Sequence, residues 1–269
     1  MIFWGIVFWG KLEAAVTASS LAIIGYDDYR DSFSILALNT LAAGEVIYFT
    51  NNGWSSSQGK FNGADPAQGA GNESLIKLTL NESISIGSVI SSSINGSAWT
   101  WTNSGLIPGQ TNGGVGQFSD LALDFESDQI YAFQGLSDNP LLNPTNFIYA
   151  LHFGSADSPG FSDSEDPLTG DIPPGLSEAD QTAFAQTNFS LHGDADGNHS
   201  GWGLNMDTPE MHQLLTMGGT TQQWLAAIQN SESWGAVSSP LDAAPEPTKT
   251  ALLLLGTLAG FSKGRRRHT

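Results

Sequence analysis

A mostly-β sandwich with one or two short helices in its second half is the fold this sequence predicts, on three observations. Short runs of β-branched and aromatic residues recur along the chain, each bounded by Gly, Asn, Ser or Pro. Ser, Thr, Asn and Gly are abundant while only 13% of the 269 residues are charged, as in many β-rich extracellular proteins. Helical periodicity is confined to two places after residue 177.

Taken in order, 21–26 (LAIIGY) is apolar, 32–38 (SFSILAL) alternates at its start, and 45–50 (EVIYFT) is β-branched and aromatic. The last ends in the turn Asn51-Asn52-Gly53, where Asn and Gly accept positive φ and Trp54 can cover the end of the sandwich. Segments 75–80 (LIKLTL), 83–91 (SISIGSVIS) and 98–102 (AWTWT) continue the strands, the last with Trp99 and Trp101 on one face. Segments 129–134 (QIYAFQ) and 147–153 (FIYALHF) predict later, more buried strands. Uneven spacing leaves the strand order open. Residues 155–175 carry four prolines and five acidic residues and read as loop. Ser177 is placed to cap a helix over 178–186, with Asp180 as a capping-box partner. Residues 221–230 (TQQWLAAIQN) predict a second helix, since Trp224, Leu225 and Ile228 share one face.

The two ends read as targeting segments around one domain. Residues 2–10 (IFWGIVFWG) form an apolar core of signal-peptide length, and Val16-Thr17-Ala18 supplies a small-residue cleavage pattern before Ser19; Lys11 follows this core rather than preceding it. The alternative for 2–10 is a buried first strand. The expected organisation is therefore a signal peptide over 1–18, a single domain over 19–236, a linker over 237–247, and an apolar segment with a basic tail over 248–269. Pro245 and Pro247 neither continue a helix nor donate to a sheet ladder, so Pro245-Glu246-Pro247 is an extended break. Residues 251–261 carry no charge and five Leu, and Lys263, Arg265, Arg266 and Arg267 come after them. The basic end is expected to stay cytoplasmic with the body outside. The alternative is an ordinary C-terminal anchor, but the apolar stretch is shorter than the roughly 20 residues that span a bilayer, which suits a transient, processed span better.

The tail resembles the PEP-CTERM sorting signal of bacterial envelope and matrix proteins, in which Pro-Glu-Pro, an apolar segment and terminal arginines occur in this order. The resemblance implies cleavage near Pro245, Glu246 and Pro247 by an exosortase-type membrane protease, with Arg265, Arg266 and Arg267 completing the signal. It further implies delivery to the cell envelope, cell surface or exopolysaccharide matrix of a bacterium through transient membrane anchoring. The body segment 33–54 (FSILALNTLAAGEVIYFTNNGW), with the later pieces DQIYAFQG, DIPPGL and AAIQNSESW, resembles a group of exported bacterial β proteins with an "FTDNGW"-like turn. Those look related to lamin-tail-like, Ig-like sandwiches, so the resemblance implies that fold; the usual aspartate of their turn is Asn51 or Asn52 here.

Between residues 19 and 244 the only cations are Arg30, Lys60 and Lys77, and setting aside Glu13 and Glu246 leaves 25 of the 27 acidic residues, a formal charge of −22. Such a surface repels nucleic acid and attracts divalent cations. With no cysteine, disulfides, thiol nucleophiles and thiolate metal sites are excluded.

Asp194, Asp196 and Asn198 put three oxygen ligands at alternate positions in HGDADGN, a spacing that can wrap calcium. Gly197 comes one place early for an EF-hand and no Glu closes the loop, so the alternatives are another kind of calcium loop and a solvated Asp/Gly turn. Trp99 and Trp101 form either an aromatic platform for sugar stacking at a sheet edge or part of the core. Carboxylate neighbours such as Asp27-Asp28, or Asp163 with Glu165 and Asp166, are what a polysaccharide hydrolase would need, but so many acidic residues place some together by chance. His152, His192, His199 and His212 show no metal-binding spacing, and neither a nucleophile elbow nor a P-loop is present. The expectation is an exported structural or binding protein without catalysis, calcium being the expected ligand; the alternatives are a secreted polysaccharide hydrolase and a sugar-binding module.

Overall fold

The computed structural model describes residues 16–27, 32–62, 75–95, 98–103, 110–113, 127–136, 139–155, 161, 170–177, 181–186, 201–205, 211, 213–214, 219–230 and 233–237. Its strands are β1 (Leu21–Asp27), β2 (Ser32–Ala37), β3 (Val46–Thr50), β4 (Trp54–Ser55), β5 (Lys60–Phe61), β6 (Leu75–Thr79) and β7 (Val89–Asn95). There follow β8 (Ala98–Asn103), β9 (Gln110–Gly113), β10 (Ser127–Gly135), β11 (Pro144–Ser155), β12 (Gln181–Gln186), β13 (Gly201–Leu204), helix α1 (Thr221–Gln229) and β14 (Trp234–Val237).

Twelve strands form one sheet in the order β12-β11-β10-β3-β6-β9-β8-β7-β2-β1-β13-β14, and β4 with β5 makes a separate two-stranded hairpin. A twisted sheet this wide curls rather than staying open. Here its two halves close on each other. Tyr26 of β1 stacks on Phe153 of β11 with ring centroids 3.8 Å apart, and Phe33 of β2 meets Phe49 of β3 at 4.9 Å, although these strands are far apart in sheet order. The result is a sandwich-like, mostly-β fold, as the sequence predicts.

The main core lies between the halves and is built from Ile23, Ile35, Phe49, Leu78, Ile130 and Leu151, all buried. A second cluster covers the outer face of β3, β10 and β11: Tyr48, Tyr131, Phe133, Phe147 and Ala150 pack there under Trp54 and Phe61 of the β4–β5 hairpin. Phe61 lies 4.8 Å from Phe133 and Trp54 lies 4.8 Å from Phe147, ring centre to ring centre. Because both faces of these strands are covered, QIYAFQ and FIYALHF read as nearly continuous apolar runs rather than alternating ones.

Helix α1 falls where its periodicity places it, with Trp224, Leu225 and Ile228 buried. Thr220 caps it in a capping box with Gln223, and the Trp234 indole N–H donates to the Ile228 carbonyl at 2.7 Å. The helix expected over 178–186 is instead strand β12, paired in parallel with β11 from Ala150↔Gln181 to Ser155↔Gln186. The open edge of β11 offers a ladder of hydrogen bonds that a helix would leave unmade, and this outweighs the weak capping signal at Ser177. The strand expected over 83–91 starts only at Val89: Gly87 has φ +82°, and Ile84 meets Leu41 in an isolated bridge. The Asn51-Asn52-Gly53 turn also differs from expectation, since none of the three has positive φ. All three are buried, and the chain runs on through them into β4.

Val16, Thr17 and Ala18, expected to precede cleavage, lie against the sandwich. Val16 is 4% exposed within the main core. The Asn146 side-chain amide donates to the Val16 carbonyl at 2.7 Å, and the Ser19 N–H donates to the Ile148 carbonyl at 3.0 Å.

Candidate functional site

An open groove of about 620 Å³ runs beside the start of β11, and three pieces of chain position it. The first is the β10–β11 connection. The Leu136 N–H donates to the Asn143 carbonyl at 3.1 Å, the Asn143 N–H to the Asn139 carbonyl at 3.0 Å, and the Leu142 N–H to Asn139 Oδ1 at 3.3 Å. Glycine is required at 135 because a Cβ there would stand 2.8 Å from Pro140 Cβ.

The second piece is the segment 170–176, which brings Pro174 and Gly175 to the opposite wall. The Asp171 N–H donates to the Trp54 carbonyl at 2.8 Å, and the Tyr131 hydroxyl donates to the Asp171 carbonyl at 3.2 Å. Gly170 lies so close that a Cβ would collide with the Trp54 nitrogen and the Tyr131 hydroxyl and stand 2.7 Å from Gly53 Cα. Burial pushes the Tyr131 phenol upward, the nearby carboxylates of Asp171 and Asp128 adding to the effect, so this hydroxyl stays protonated as a structural donor. The third piece is the aromatic pair Trp54 and Phe147, packed edge to face.

The walls are therefore apolar at Trp54, Leu136, Leu142, Phe147 and Pro174, with Asn143, Thr145 and Asn146 as the polar side chains. Leu136 is 57% exposed, unusual for a large apolar residue in this fold. Among the described residues the lining carries no ionisable side chain. Such a surface can hold a ligand by shape and neutral hydrogen bonds.

Behind the groove, the outer face of β10 and β11 buries a polar cluster. The Asp128 carboxylate accepts the Gln129 N–H at 2.7 Å and the Asn51 amide at 3.4 Å, and the Gln129 amide donates to the Asn51 carbonyl. His152, opposite Gln129 in the register, is fully buried with the Phe161 ring edge-on at 5.3 Å. Among the described residues neither of its ring nitrogens has a hydrogen-bond partner, and burial holds its pKa down at about 4. Held neutral in this way, the imidazole packs against the Phe161 ring.

Asp194, Asp196 and Asn198 lie outside the described residues, as do Pro245, Glu246, Pro247, Arg265, Arg266 and Arg267. Of the carboxylate neighbours only Asp27 is described, and it is buried at the end of β1. The backbones of Trp99 and Trp101 stand opposite Ile94 and Ser92 of β7. Strand β8 lies between β7 and β9, not at the sheet edge on which a sugar platform was premised. Among the described residues no three His, Asp or Glu gather as a metal set, and no helix is long and apolar enough to cross a membrane.

Sequence reasoning missed the groove. Its signal was the connection LSDNPLLNPTNF, where leucines sit among Asn and Pro in a stretch that composition marks as exposed loop. Comparison of the chain with models of protein families, with curated proteins and with solved structures returned no match.

Proposed function

We propose that this protein is exported to the bacterial envelope or exopolysaccharide matrix and serves there in a structural or binding capacity, without catalysis. The observation that carries the export reading is the order of residues after the domain: Pro245-Glu246-Pro247, an uncharged run over 251–261, then Arg265, Arg266 and Arg267. The last described strand, β14, ends at Val237, so seven residues separate it from Pro245. That is enough chain to present the triplet to an exosortase-type protease clear of the folded body. The binding reading is supported by the groove, whose described lining is uncharged and partly apolar and suits retention of a ligand. Calcium, held by Asp194, Asp196 and Asn198, is the proposed ion.

The test is replacement of Pro245-Glu246-Pro247 by three alanines, followed by fractionation and mass measurement. Accumulation of an uncleaved, membrane-held form is expected. Normal processing and delivery of the variant would overturn the reading.

A further inference from the structure

Resting on the binding role just proposed, we infer that the groove beside β11 is the site at which this protein holds a strand of neutral polysaccharide. Three features of the groove point to that ligand class.

Its apolar and polar elements are interleaved as a pyranose demands. Leu136 and Pro174, both exposed, offer apolar surface to the C–H faces of sugar rings, while Asn143, Thr145 and Asn146 offer hydrogen bonds to their hydroxyls. The two amides are already oriented. Asn143 Nδ2 donates to the Asn139 carbonyl at 3.2 Å, and Asn146 Nδ2 donates to the Val16 carbonyl at 2.7 Å. These bonds hold each amide in place and leave its oxygen available to accept from a sugar O–H, at little ordering cost on binding.

Charge selects against ionic ligands. Among the described residues no lining side chain is ionisable, so none of them neutralises an anionic sugar or carboxylate, and a chain of formal charge −18 repels polyanions. A cationic ligand likewise finds no carboxylate among the described lining residues.

The sheet edge beside the groove is partly covered, which disfavours an extended peptide. Such a peptide binds by adding a strand to free backbone groups. Here the Ser19 N–H occupies the Ile148 carbonyl, the Asn146 side chain ties down Val16, and β12 covers β11 from Ala150 onward.

The test is affinity electrophoresis of the purified full-length chain through gels containing hydroxyethylcellulose, laminarin, galactomannan, dextran or alginate, with a proline-rich peptide as competitor. Retardation by at least one of the four neutral polymers is expected, with none by alginate and no displacement by the peptide. Asn143 and Thr145 are both exposed, so the double variant N143A/T145A should melt as the wild type does. It should bind about tenfold more weakly, the loss expected for two neutral hydrogen bonds. Thr145→Lys, which blocks the groove from an exposed position, should abolish retardation. Retardation by none of the neutral polymers, stronger retardation by alginate, displacement by the peptide, or unchanged binding in both variants would each overturn the inference. Fractionation of cells separates this from the export reading: protein that reaches the envelope or matrix yet binds no glycan sinks the groove assignment alone, and protein that binds glycan but stays inside sinks only export.

Discussion

His152 gives this protein a calculable acid sensitivity. The imidazole is fully buried opposite Gln129, with Phe161 against its edge and neither nitrogen partnered among the described residues. Burial lowers its pKa from 6.5 to about 4. Between those values the unfolded chain binds a proton that the folded protein refuses, so folding stability rises with pH across the interval. The contribution is complete above the unfolded pKa and is lost as pH falls toward the folded one. One pKa unit corresponds to about 1.4 kcal/mol, so the loss relative to neutral pH is about 2 kcal/mol at pH 5 and about 3 kcal/mol around pH 4. Carboxylates titrate in part of the same range, and subtraction of a His152→Leu variant removes their contribution. Urea unfolding of both proteins from pH 7.5 to 4.5 measures it: the stability difference between wild type and variant should shift by about 2 kcal/mol between pH 7 and pH 5, against the wild type. Parallel pH profiles, or an imidazole proton resonance titrating near 6.5 in the folded protein, would refute the reasoning.

Gly170→Ala should destabilise by about 1–3 kcal/mol or more and lower the melting temperature, because its Cβ has no room against the Trp54 backbone and the Tyr131 hydroxyl; an unchanged melting curve would mean that this wall of the groove is loosely held. A chain shortened to begin at Ser19 should be about 2–4 kcal/mol less stable than one beginning at Val16, through loss of the buried valine and of the Asn146 hydrogen bond; equal unfolding midpoints would show that residues 16–18 add nothing to the fold. Asp196→Ala should abolish a calcium-dependent rise in melting temperature, and a rise of undiminished size would place any calcium site elsewhere.

The strands that proved legible were those whose local composition and tertiary setting agree. VIYFT, LIKLT and FIYAL are β-branched or aromatic and lie in the sheet where their pattern put them. Helix α1 was readable because Trp224, Leu225 and Ile228 recur at helical spacing and that face is the buried one. The failures have a common cause in long-range pairing. QTAFAQ carries weak helical and weak strand preference together, and the unpaired edge of β11 decides between them. Ser83 to Gly87 alternates like a strand, yet Gly87 at φ +82° turns the chain before β7 begins. The two-residue strands β4 and β5 have no sequence signal, because they exist only by lying across Tyr131, Phe133 and Phe147.

By itself the sequence determined the fold class, the burial of the periodic faces, the absence of thiol chemistry and the excess of negative charge, all of them properties of composition and short-range spacing. The terminal segments, too, are written in local order, which is why the resemblance to a sorting signal could be read there. The tertiary structure decided the strand order, the parallel docking of β12 and the groove. Trp54, Asn143 and Pro174 are distant in sequence, and each looks like ordinary turn or loop chemistry where it stands. They share a surface only because Asp171 hydrogen-bonds to the Trp54 backbone and the β10–β11 connection folds against Phe147. Contacts of that kind depend on the closed sandwich and leave no periodic trace along the chain.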